Sequence, residues 1–65
     1  MDMWEKEDIL CDVLVMLAGL TSDEANLIVG FATSSYGEND DTLDHIHHYF
    51  IGGDFNPEDY GNPWE

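Results

Sequence analysis

Positive charge is almost missing from this chain: of 65 residues one is a lysine, Lys6, and none is an arginine, against 15 acidic residues, for a formal net charge of −14. That absence argues against direct binding of DNA, RNA or an anionic membrane, because proteins hold phosphates by neutralising them with Lys and Arg. Cysteine occurs once, at Cys11, so no internal disulfide can staple the fold, which fits a reducing compartment; the thiol reads as a small apolar residue on the first helix. Long apolar runs are lacking too. Residues 13–18 fall far short of a membrane span, and the acidic N-terminus has none of the basic character of a secretory signal, so a cytoplasmic protein is expected. No Ser, Cys or Lys stands in a nucleophile context and there is no glycine-rich phosphate loop, so the expectation is not an enzyme and no cofactor. Internal repeats and low-complexity tracts are also absent.

What is present suffices for a core. Hydrophobic residues make up 43% of the chain, with three Phe, three Tyr and two Trp, too many for a disordered acidic tail. The length allows one domain, near the lower limit at which an unaided core offsets chain entropy. Residues 4–20 predict the helix around which the rest is organised. Ile9, Val13, Met16, Leu17 and Leu20 recur at steps of three and four as its expected core face. Asp2, Glu5, Asp8 and Asp12 line a different side as a row of carboxylates.

Thr21, three residues ahead of Glu24, is a capping-box signature that starts a second helix. Its apolar set is Ala25, Ile28, Val29, Phe31 and Ala32, and it runs out between Ser34 and Gly37. Gly30 weakens this helix and suggests close packing against another. Residues 34–41 read as a loop ending in an Asp cap. A third helix follows over 41–51, with Leu43, Ile46, His47, Phe50 and Ile51 on one side and Asp41, Asp44, His45 and His48 on another, stopped by Gly52 and Gly53. Aromatic and branched residues leave a strand as the alternative for 45–51 and 12–17. The fold class is therefore all-α: a compact three-helix miniature domain over 1–53, with an extended acidic and aromatic C-terminal tail, 54–65. In that tail Phe55, Tyr60 and Trp64 either dock over the helices or stay mobile.

Two constellations invite a metal reading. His45 and His48 lie three apart, with Asp41 and Asp44 each four residues before one of them, a spacing that equally produces surface ion pairs. Asp54, Asn56, Glu58, Tyr60, Asn62 and Glu65 fall at positions 1, 3, 5, 7, 9 and 12 of a calcium loop. That loop needs glycine at its sixth position, where Asp59 stands, and Pro57 stiffens its fourth. No metal is expected, and both stretches read as solvated acidic surface.

The main functional signal is the uncompensated acid. Self-repulsion of this size works against compaction unless a basic partner relieves it. The expected partner-binding residues are Asp2, Glu5, Asp8 and Asp12 on the first helix, with Glu38, Asp40, Asp41 and Asp44 at the second connection and third helix. Carboxylates spaced along a helix imitate strand phosphates, and each can accept charge-assisted hydrogen bonds from Arg or Lys. The expected partner is a basic nucleic-acid-binding protein, and the chain itself is expected to be a monomer.

In size, charge and lack of catalytic motifs the whole chain resembles the small, strongly acidic inhibitors encoded by phages and mobile elements, in particular anti-CRISPR proteins that imitate DNA. The resemblance implies a cytoplasmic binder, in the host cell, of the DNA-contacting surface of a Cas effector complex, of type I. Uracil-DNA glycosylase, restriction and RNA polymerase inhibitors look similar by the same criteria. A second resemblance covers residues 13–54. A helix ending in Gly19-Leu20, an acid-started helix with Ala25, and a short helix ending His48-Tyr49-Phe50 before Gly52-Gly53-Asp54 is similar to the three-helix ubiquitin-associated-like domain. It implies a helical interaction module that works through an apolar patch, for which Trp4, Phe55, Tyr60 and Trp64 are the candidate anchors.

Overall fold

Between Met3 and Ala18 no glycine or proline interrupts the chain, and the apolar period is helical throughout. In a computed structural model, which describes residues 3–60, this stretch is α1, Met3–Ala18. It is followed by α2, Ser22–Tyr36, and α3, Asp40–Phe50, and then by a single 3-10 turn, Pro57–Tyr60. No strand occurs among the described residues, so both 12–17 and 45–51 are helical.

The helix ends follow from local chemistry. Gly19 at φ 74° lets the chain leave α1 while the Leu20 N–H reaches back to the Leu14 carbonyl. The capping box forms: the Glu24 N–H donates to Thr21 Oγ1 at 3.1 Å, and the Thr21 N–H donates to the Glu24 carboxylate at 3.0 Å. The Thr21 backbone N–H, and then the Thr21 hydroxyl, hold the Glu24 carboxyl below its ordinary range. The connection to α3 is shorter than the expected 34–41. Residues 34–36 continue α2, closed by the Gly37 N–H on the Thr33 carbonyl at 3.0 Å. Asp40 and Asp41 belong to the first turn of α3, where carboxylates favour the helix dipole. The cap is Asn39 rather than an aspartate; its Oδ1 accepts from the Thr42 N–H at 2.9 Å and from the Thr42 hydroxyl at 3.1 Å.

Each helix packs on both of the others. The core comprises Ile9, Leu10, Val13 and Leu14 of α1, Ala25 and Val29 of α2, Leu43 and Ile46 of α3, and Phe55. This corrects the expected face of α1. Leu10 and Leu14 are fully buried, whereas Met16 and Leu17 are 70% and 59% exposed. A helix that meets two partners buries a wide arc, and that arc extends from Val13 away from Met16; Leu17 lies on the last turn, where the chain departs at Gly19. Phe31 is likewise 71% exposed, because it sits two residues past Val29, about 200° round the helix. Gly30 does not mediate close packing either: a Cβ there would meet nothing within 4 Å.

Candidate functional site

The two flanks of α3 differ in what meets them. Toward α1 lie Asp40, Asp44 and His47, and each has a partner. Lys6 Nζ donates to Asp40 Oδ1 at 2.7 Å, joining α1 to the start of α3. Asp44 Oδ1 accepts the Phe55 N–H at 3.1 Å. Buried His47 holds the Gly53 carbonyl with Nδ1 at 3.0 Å and meets the Tyr60 hydroxyl with Nε2. A carbonyl oxygen only accepts, so Nδ1 carries a proton, and in the neutral ring Nε2 receives the Tyr60 O–H. The rings of Phe55 and Tyr60 lie 5.6 and 5.8 Å from that of His47. Beyond Phe55 the described chain turns at Pro57–Tyr60 and closes this flank against α1. Trp64 lies outside the described residues.

These contacts redistribute the expected roles. Asp40 and Asp44, two of the predicted partner-binding carboxylates, have partners within the fold. His45 and His48 are exposed, and neither forms an ion pair with Asp41 or Asp44; the only ion pair among the described residues is Lys6–Asp40. Asp44 turns inward to the Phe55 amide instead. No group of His, Cys, Asp and Glu among the described residues could hold a metal ion. In the stretch that imitates a calcium loop, Asn56 Oδ1 accepts the Glu58 N–H at 3.2 Å as a local turn, and Asn62 and Glu65 lie outside the described residues.

A second group of acids lies on and beside α1. Asp8 and Asp12 are exposed along its outer face with Glu5 half-buried beside them, and Glu38 and Asp41 are exposed at the α2–α3 connection; Asp2 lies outside the described residues. Glu7, which sequence reasoning missed because it falls off the row of threes and fours, links the two groups. Its carboxyl is raised above the ordinary range by burial and then by Glu38 and Asp8. The neighbouring Cys11 thiol is pushed up to about 11 by burial and then by Asp8, Asp12 and Glu7. It remains protonated at neutral pH and lies 3.3 Å from Asn26 Oδ1, which fits an unreactive packing residue. Glu38, Glu7, Asp8 and Asp12 therefore form one anionic surface, and the chain's lone cation sits on Asp40 instead. Compared with models of protein families, with curated proteins and with solved structures, the chain matches none of them. No helix among the described residues is long and apolar enough to cross a membrane.

On its other flank α3 meets α2 across an open apolar groove of about 720 Å³. Leu27, Ile28 and Phe31 form one wall, Ile46, Tyr49 and Phe50 the other. Leu27 and Tyr49 are each 75% exposed. The groove runs on past Ala32, His45 and Ile46 toward Tyr36 and Asp41. The anchors expected in the tail are placed differently: Phe55 is core, and Tyr60 is held on His47.

Proposed function

We propose that this protein acts by occupancy rather than catalysis, as a stoichiometric inhibitor that lays an anionic surface on the basic, nucleic-acid-binding site of a partner protein. The observation that carries the reading is the meeting of Glu38, Glu7, Asp8 and Asp12 with no cation among them. Like charges so placed cost stability in the free protein, and a surface of Arg and Lys relieves that cost on binding. A helical row of carboxylates offers such a surface acceptors at spacings close to those of backbone phosphates. A Cas effector complex is the partner class that the resemblance to anti-CRISPR proteins supplies, with the protein acting as a monomer in the cytoplasm of the host.

The test is charge reversal. Asp8→Lys combined with Asp12→Lys lies on an exposed helical face and leaves the core untouched. It is expected to weaken capture of the partner and to flatten the dependence of affinity on salt, since surface attraction is screened within about 10 Å at 0.1 M ionic strength. Capture that is indifferent to salt, or that survives the double reversal unchanged, rejects the proposal.

A further inference from the structure

We infer that the α2–α3 groove is a second, apolar docking site, and that its occupant is an amphipathic helical segment of a basic partner, with an apolar ridge flanked by Lys or Arg. The inference rests on the proposed function for the sign of the partner's charge and adds how that partner is gripped. Leu27, Phe31 and Tyr49 are large apolar side chains left facing solvent along one line between two helices. Ile28, Ala32 and Tyr36, at steps of four, carry the groove and its continuation along eight residues of α2, about 12 Å at 1.5 Å per residue, which matches about two turns of a docked helix. Apolar anchors at i, i+3 or i+4 and i+7 fit such a groove.

Charge selects among the occupants. The segments that build the groove, α2, its connection and α3, carry Asp23, Glu24, Glu38, Asp40, Asp41 and Asp44 and neither Lys nor Arg, with Asp40 and Asp44 turned toward α1 and His45 lining the groove. Asp41 stands in the continuation of the groove itself. Lys6, the one cation, is on α1 and held by Asp40. A second copy of the chain would bring another net charge of −14 onto this surface, whereas Lys and Arg beside an apolar ridge would meet Asp41, which has no ion-pair partner among the described residues.

The experiment uses the full chain and two synthetic peptides of identical Leu and Lys composition. In one, leucines fall at i, i+3, i+4 and i+7 to make an apolar face; in the other they are scrambled. Calorimetry is expected to give about tenfold tighter binding of the amphipathic peptide, a difference of about 1.4 kcal/mol. Its amide shift changes should centre on Leu27, Phe31, Ile46 and Tyr49. Phe31→Ser, at an exposed position with circular dichroism as a check on folding, should erase the difference between the peptides. Asp8→Lys with Asp12→Lys should weaken both alike and preserve the difference, which separates failure of the groove from failure of the anionic surface. Equal affinities for the wild-type protein, or a difference that survives Phe31→Ser, overturns the inference. So does a wild-type dimer that Phe31→Ser converts to monomer, since the occupant is then a second copy.

Discussion

The two flanks of α3 are separated by less than a turn of one helix, yet they are finished in opposite ways. Toward α1, Asp40, Asp44 and His47 hold Lys6, the Phe55 amide, the Gly53 carbonyl and the Tyr60 hydroxyl. Toward α2, Tyr49 faces Leu27 and Phe31 across open space. The first flank is where a small domain gains the stability that its length makes scarce. The second exposes large apolar groups that contribute little to that stability, and an exposed contiguous apolar surface is characteristic of a place where something binds.

The comparison is broken most sharply by truncating one aromatic on each flank. Phe55→Ala removes a buried ring from the core and is expected to cost about 3–5 kcal/mol, enough to unfold much of a domain this size, as chemical denaturation would show. Phe31→Ser should change stability by no more than about 0.5 kcal/mol. If the two cost the same, the flanks are not different in kind. Tyr60→Phe is a finer probe: it leaves His47 Nε2 without its hydroxyl partner and should cost about 1 kcal/mol in the same measurement. On the open flank Gly30→Ala adds a Cβ where nothing stands within 4 Å, in a helix interior, and is expected to raise stability by about 0.5–1 kcal/mol.

The smallest expected effect concerns the anionic surface. A carboxyl whose folded pKa is raised contributes stability that is fully present below its unfolded pKa and lost as pH rises through the folded one. Glu7 is such a group. Glu7→Gln should therefore raise the melting temperature slightly at neutral pH and make no difference in acid, below the ordinary glutamate range. A gain that persists there would place the cause outside charge.

Much of the architecture was legible in the sequence because it is local. Helical periodicity marked all three helices against a strand alternative, the Thr21–Glu24 box marked the start of α2, and Gly52 and Gly53 marked the end of α3. What escaped was set by contacts far apart in the chain. Which arc of α1 is buried depends on two partners at once, so Leu10 and Leu14 took the place of Met16 and Leu17. The roles of Asp40 and Asp44 depend on Lys6, 34 residues away from Asp40, and on Phe55, 11 residues beyond Asp44. The anionic surface was legible in its sign and in Asp8, Asp12 and Glu38, but Glu7 joins it only through the way α1 packs beside the connection. The groove was not legible, because Phe31 reads as core until Ala25 and Val29 are seen to fill it, and Leu27 falls outside the expected apolar set.

Displacement of nucleic acid tests the central claim most directly. The basic protein that this chain captures at low salt is loaded with labelled duplex DNA, and the acidic protein is then titrated in while the DNA is followed by fluorescence anisotropy. Stoichiometric release of the DNA, lost when Asp8 and Asp12 are reversed to lysine, is the predicted result. A ternary complex in which the captured partner keeps its DNA while the acidic protein is bound contradicts it.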